Sequence, residues 1–134
     1  MNCIFCKIVN KECPSRIVFE NAHTLVFMDI AKDVDGHMVV APKKHVANLF
    51  DCDPETLHHL TDTLQTVSKY CVEHCRFEGV NVLHASGDAA DQSVPHFHFH
   101  LIPRKKGDGI DAWPNFEGAK REIEAVFQEL RIKP

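Results

Sequence analysis

From Pro95 the chain reads Pro95-His96-Phe97-His98-Phe99-His100-Leu101-Ile102. On an extended strand, successive side chains point to opposite faces, so His96, His98 and His100 share one face and Phe97, Phe99 and Leu101 the other. One face is then a row of imidazoles and the other an apolar ladder for a core. Imidazole changes protonation near neutral pH, and it serves as nucleophile, general acid or base, or metal ligand. Such a strict alternation marks the row as functional. One use of it is a mononuclear zinc hydrolase with all three histidines as ligands and an open water position. Positions i, i+2 and i+4 supply two ligands readily and a third only where the strand curves.

A second group of soft ligands lies at the other end. Cys3-x-x-Cys6 is a two-ligand clip of the kind that zinc sites use, and ten histidines are available to complete a set of four. His45 and His96 are the preferred partners. Two other readings stay open, small apolar residues near a hydrophobic start or a redox pair. Cys71 and Cys75, although spaced like ligands on a helix, fall on an apolar stripe and read as core.

The elements that must position these groups follow from periodicity. Residues 16–20 and 24–28 read as strands around a turn, and an aspartate-rich loop occupies 29–36. Residues 37–41 form a third strand, ended by Pro42. Asp53-Pro54-Glu55 is a helix start, with an N-cap acceptor, proline in the first turn and early negative charge. Leu57, Leu60, Leu64, Val67, Cys71 and Cys75 then recur at helical steps, with Gly79 as the stop. Residues 80–83 begin a fourth strand, 87–92 a loop, and the histidine segment is the fifth strand. Ile123, Phe127 and Leu130 suggest a short C-terminal helix. The order predicts an α+β class with a five-stranded antiparallel sheet, one long helix and a short C-terminal one.

Composition narrows the function. The 134 residues suit one domain and one core, with 44% apolar and 25% charged residues. A net charge of -4 argues against non-specific nucleic-acid binding, while a local histidine cluster still suits an anionic small molecule. The start of the chain has no apolar run typical of a signal peptide, and no window resembles a membrane span. The expected location is the cytoplasm, where the six cysteines stay reduced.

The segment His96 to Ile102 resembles the signature of the histidine-triad (HIT) nucleotide hydrolases and transferases. Cys3 to Ile8, Phe27 to Ile30, Gly36 to His45 and Gln92 to Val94 also resemble family segments, in family order. The chain is most similar to the purine-nucleotide-binding branch that includes the phosphoramidases. The resemblance implies one HIT domain over residues 1–134, with the triad at 96–102 and a tail at 105–134. It implies a zinc ion with a structural role, held as in bacterial members, on Cys3, Cys6, His45 and His96. It implies a nucleophilic His98, with His96 and His100 beside it, and His100 contacting phosphate or leaving group. Asp29 would accept from ribose hydroxyls. Phe5, Ile8, Phe27 and Ile30 would line a purine pocket, and Gln92, Ser93 and His37 would lie near the phosphate. A homodimer is implied as well.

Three positions depart from the family pattern. Ala85 stands where asparagine is usual, flanked by His84 and Ser86 as possible substitutes. Lys32 replaces a usual proline. Asp91 replaces the glycine before Gln92, and a carboxylate about 4–6 Å from a phosphate opposes binding by roughly 3–4 kcal/mol at an effective dielectric of 20. Ala85 and Asp91 leave a catalytically weak nucleotide-binding protein as an alternative to a phosphoramidase, and the resemblance to the family leaves a dinucleoside polyphosphate hydrolase, more typical of its fragile-histidine-triad branch, as another.

Overall fold

The computed structural model describes residues 2–133. The chain runs α1 (Ile4–Val9), β1 (Ile17–Glu20), β2 (Thr24–Met28), β3 (Met38–Pro42), α2 (Pro54–His74), β4 (Gly79–Leu83), β5 (Phe99–Arg104) and α3 (Ile123–Leu130), with a three-residue 3-10 turn at Asp88–Ala90 before β5. The strands form one sheet in the order β1-β2-β3-β5-β4, and every neighbouring pair is antiparallel. Five antiparallel strands, one long helix and a short C-terminal helix are the expected architecture.

Local chemistry explains the joints. The Asn21 side-chain oxygen accepts from the backbone of His23 at 2.9 Å and Thr24 at 2.8 Å, which closes the β1–β2 turn. Asp53 caps α2 by accepting from the Thr56 backbone at 3.1 Å, with Pro54 in the first turn. The sheet is covered on both sides. Val26, Val40, Phe97 and Leu101 pack with Leu60 and Val67 of α2, while Leu25, Phe27, Val39 and Ala41 pack with Phe5 and Ile8 of α1. Because both faces are buried, β2 and β3 read as apolar runs instead of alternating.

Four details correct the sequence reading. Helix α1 was not expected; six residues are too few to show a period, and Cys3 caps it by accepting from the Cys6 backbone at 3.5 Å. Helix α2 ends at His74, with Arg76 taking a left-handed φ of 65°, so Gly79 opens β4 and does not stop the helix. Cys75 is exposed beyond the stripe that it was expected to join. The fifth strand begins at Phe99 and not at His96.

That last shift has a physical cause. Pro95 has no N–H to give, and side chains take the carbonyls of the next residues out of the ladder. His98 Nδ1 donates to the His96 carbonyl at 2.8 Å, and His84 Nδ1 donates to the His98 carbonyl at 2.8 Å. The alternation of side chains nevertheless survives: His96 and His98 lie on the Phe5 side, while Phe97 meets Phe99 and His84.

Candidate active site

The three histidines of the motif occupy three different environments. His96 is fully buried and its Nε2 donates to the Pro42 carbonyl at 2.8 Å. A carbonyl only accepts, so the hydrogen is on Nε2 and the lone pair is on Nδ1. That lone pair faces Cys3 Sγ at 3.4 Å, Cys6 Sγ at 3.6 Å and His45 Nδ1 at 3.1 Å, and His45 Nδ1 lies 3.3 Å from Cys6 Sγ.

Tetrahedral zinc with Zn–S of about 2.3 Å and Zn–N of about 2.05 Å has S···N edges near 3.6 Å and N···N edges near 3.3 Å. The four donors therefore fit a zinc-sized ion, with a backbone carbonyl orienting one imidazole from behind. Cys3 and Cys6 reach this arrangement because α1 places them at its cap and in its first turn.

His98 is buried where His96 leaves off. Its Nδ1 hydrogen is committed to the His96 carbonyl, which leaves Nε2 with the lone pair. Burial pushes its pKa below the ordinary imidazole value, favouring the neutral ring. The Phe5 ring stands edge-on against it, with centroids 5.0 Å apart.

His100 sits in β5, with its Nδ1 at 2.8 Å from His37 Nε2. Burial, then the neighbouring imidazoles of His98 and His37, push His100 down to about 4. His37 Nδ1 lies 3.0 Å from both carboxylate oxygens of Asp33, and Asp29 Oδ2 is 3.6 Å from His37 Nε2. The hydrogen bond from His37 also holds the Asp33 carboxyl below the usual carboxylate range. The tight loop that allows this contains Gly36, at φ 84°, where a Cβ would stand 2.7 Å from Pro103 Cγ.

A cleft of about 360 Å³ opens onto His98 and His100. Phe5, Ile8, Phe27, Ile30 and Val39 give it apolar walls, and Asp29 and Ser93 bring polar groups to them. This mixture of apolar walls and a few convergent polar groups is typical of small-molecule sites. A wider depression of about 1070 Å³ along residues 28–36 shares Asp29 and Ile30 with it.

Of the expected site residues, Asp29, Ile30, Phe5, Ile8, Phe27, Ser93, His98 and His100 line this cleft. Ile30 is at its rim, 88% exposed. His37 stands behind His100. Gln92 instead ties loops together: its amide donates to the Ala47 carbonyl at 2.7 Å and the Val94 carbonyl at 3.0 Å, and its oxygen accepts from Gly87 at 2.9 Å.

The departures also find places. Asp91 is exposed, with φ 64° and ψ 35°, and is not among the lining residues. Its left-handed backbone is a conformation in which glycine is at ease and aspartate is tolerated. His84 is stacked on Phe97 with centroids 4.6 Å apart, and Ser86 accepts from the Leu49 backbone at 2.9 Å, so neither side chain replaces an asparagine in the cleft. Sequence reasoning missed several wall residues, among them Pro14, Ser15, Val39 and Val94, and also Asp33 behind His37, which stood in the aspartate-rich loop.

Residues 10–107 match the model of the HIT domain, and the chain belongs to the HIT family. It is 36% identical over 136 residues to adenosine 5'-monophosphoramidase of Schizosaccharomyces pombe, covering 99% of this chain and 98% of that one. Among solved structures, a HIT family member from Bacillus subtilis superposes with a TM-score of 0.81 at 31% identity, covering 100% of both chains. A Zn-bound histidine triad family protein from Mycobacterium smegmatis gives a TM-score of 0.78 at 33% identity, covering 86% of this chain and 84% of that one.

Proposed function

We propose that this protein hydrolyses purine nucleotides at the α-phosphate, with a nucleoside phosphoramidate as the substrate class, through a nucleotidyl-histidine on His98. One observation carries the reading: the Nδ1 hydrogen of a buried His98 is tied to a carbonyl, so Nε2 is the nucleophilic nitrogen left for the cleft. The similarity to a named adenosine 5'-monophosphoramidase supports the substrate class.

In the first step Nε2 attacks the α-phosphorus, a phosphorus–nitrogen bond forms, and the bond to the leaving amine breaks as the amine takes up a proton from solvent. Water then attacks the phosphorus, the bond to Nε2 breaks, and the water gives a proton back to solvent, releasing the nucleoside monophosphate and returning neutral His98. One hard displacement becomes two easier ones. Asp29 takes the ribose hydroxyls, Phe5, Ile8, Phe27 and Ile30 hold the base, and Ser93 and His100 face the phosphate. His37 orients His100, and Gln92 shapes the loop that presents Ser93.

Zinc on Cys3, Cys6, His45 and His96 has a structural role in this reading, anchoring α1 and the residue two before the nucleophile. Residues 1–134 act as one HIT domain in the cytoplasm, as a homodimer. Support for the dimer comes from α3, whose Ile123, Phe127 and Leu130 are all exposed, and from exposed Trp113 and Phe116 in the tail. Among the described residues, no helix is long and apolar enough to cross a membrane.

The test is AMP release from adenosine 5'-phosphoramidate by the wild type and by His98→Ala. Turnover lost in the variant is expected. Equal turnover in both would remove His98 from its role, and a dinucleoside polyphosphate cleaved in preference would move the substrate class.

A further inference from the structure

The cluster behind the cleft has the composition of a second metal site. Asp29, His37 and His100 each offer a ligand atom, all within 4.8 Å of one another. None of the three belongs to the Cys3, Cys6, His45 and His96 group. We propose that Asp29, His37 and His100 form a site for a divalent transition-metal ion such as Zn2+, with Asp33 as its outer carboxylate, and that an ion bound there excludes the nucleotide.

The ionised Asp33 carboxylate only accepts, so His37 Nδ1 carries the hydrogen and donates to both oxygens at 3.0 Å. The lone pair of His37 is therefore on Nε2, aimed into the cluster. Carboxylate, histidine and metal in a row is the usual second-layer arrangement around a bound cation.

The His100 ring answers it. With no ion, His100 Nδ1 supplies the hydrogen in the 2.8 Å contact with His37 Nε2. An ion replaces that bridging hydrogen, and His100 needs only to carry its hydrogen on Nε2 instead; no net proton is lost. Two nitrogens on one tetrahedral ion stand about 3.3 Å apart, so the pair opens by about half an ångström. Asp29 Oδ2, 3.6 Å from His37 Nε2, completes three protein ligands and leaves a fourth position for water. Two imidazoles and a carboxylate suit zinc and its neighbours better than magnesium or calcium, which prefer oxygen alone.

Exclusion of the nucleotide rests on the proposed function, since it requires Asp29 to be the ribose acceptor. An ion bound there takes the Asp29 carboxylate that the ribose hydroxyls require, so ion and nucleotide compete for one group. Raised free zinc then acts as an inhibitor at the site itself.

The experiment is calorimetric titration of Zn2+ into protein already loaded with one zinc equivalent, for wild type, Asp33→Asn and His37→Ala. Asp33 is half exposed, so its variant should fold even where His37→Ala does not. A second equivalent is expected in the wild type, weakened roughly ten- to a hundred-fold in Asp33→Asn and lost in His37→Ala. A stoichiometry that stays at one, or a second equivalent with unchanged affinity in both variants, overturns the site. Repeating the titration with saturating adenosine should weaken the second equivalent. Unchanged affinity with adenosine bound overturns the exclusion but leaves the metal site standing. Adenosine that does not bind at all contradicts the functional reading alone.

Discussion

His98 Nδ1 lies 2.8 Å from the carbonyl oxygen of His96, two residues back in the same segment. The bond ties a ring tautomer to a backbone turn, and His96 in turn commits its own Nε2 to Pro42. Two neighbouring imidazoles thereby keep different nitrogens free: Nδ1 of His96, which faces the cysteines, and Nε2 of His98, which lines the cleft. Neither group of potential metal ligands includes His98, and His96 and His100 belong to different ones. This geometry argues against a single ion held by all three triad histidines.

Loss of one ligand of the proposed zinc site should be felt as stability before chemistry. Cys3 is buried, caps α1 and faces His96. We expect Cys3→Ser to reduce bound zinc well below one equivalent and to cost roughly 2 kcal/mol, or ~5–10 °C in Tm. Wild type treated with a strong chelator should melt near the variant. Zinc content and melting curves measured together check this, and full zinc in Cys3→Ser would contradict the ligand set.

Asp91 should prove a backbone problem and not an electrostatic one. Its carboxylate is exposed and outside the cleft lining, while its φ is left-handed. Asp91→Gly should relieve up to about 1 kcal/mol of strain, partly offset by glycine's extra freedom in the unfolded chain. AMP affinity should change less than threefold. A gain of a hundredfold in affinity, measured by calorimetry, would mean that the charge does reach the phosphate.

The exposed face of α3 should mediate association. Ile123, Phe127 and Leu130 stand on successive turns and are exposed in the single chain. Light scattering at micromolar concentration should give twice the chain mass for wild type and a reduced mass for Phe127→Asp. A wild-type monomer would contradict the homodimer.

Much of this molecule was legible in its residues, for particular reasons. Asp53-Pro54 marks the start of α2 because cap chemistry is local, and the five strands follow from apolar runs and turn residues. The imidazole row was legible from its period of two, even though His96 and His98 lie ahead of the ladder. Helix α1 was not, since its Phe5 and Ile8 make one turn and no period. Gly79 misled because a left-handed Arg76 already ends the helix. The partnership of Asp33 with His37 was hidden among the aspartates of residues 29–36, because only the folded loop selects one of them.

The most direct test is to look for the covalent intermediate. Wild-type protein mixed with adenosine 5'-phosphoramidate, quenched within one turnover and analysed by intact mass and peptide mapping, should carry one AMP moiety on His98. His98→Ala should carry none and release no AMP. An adduct on another residue, or AMP release by His98→Ala at the wild-type rate, would contradict the assignment of His98 as nucleophile.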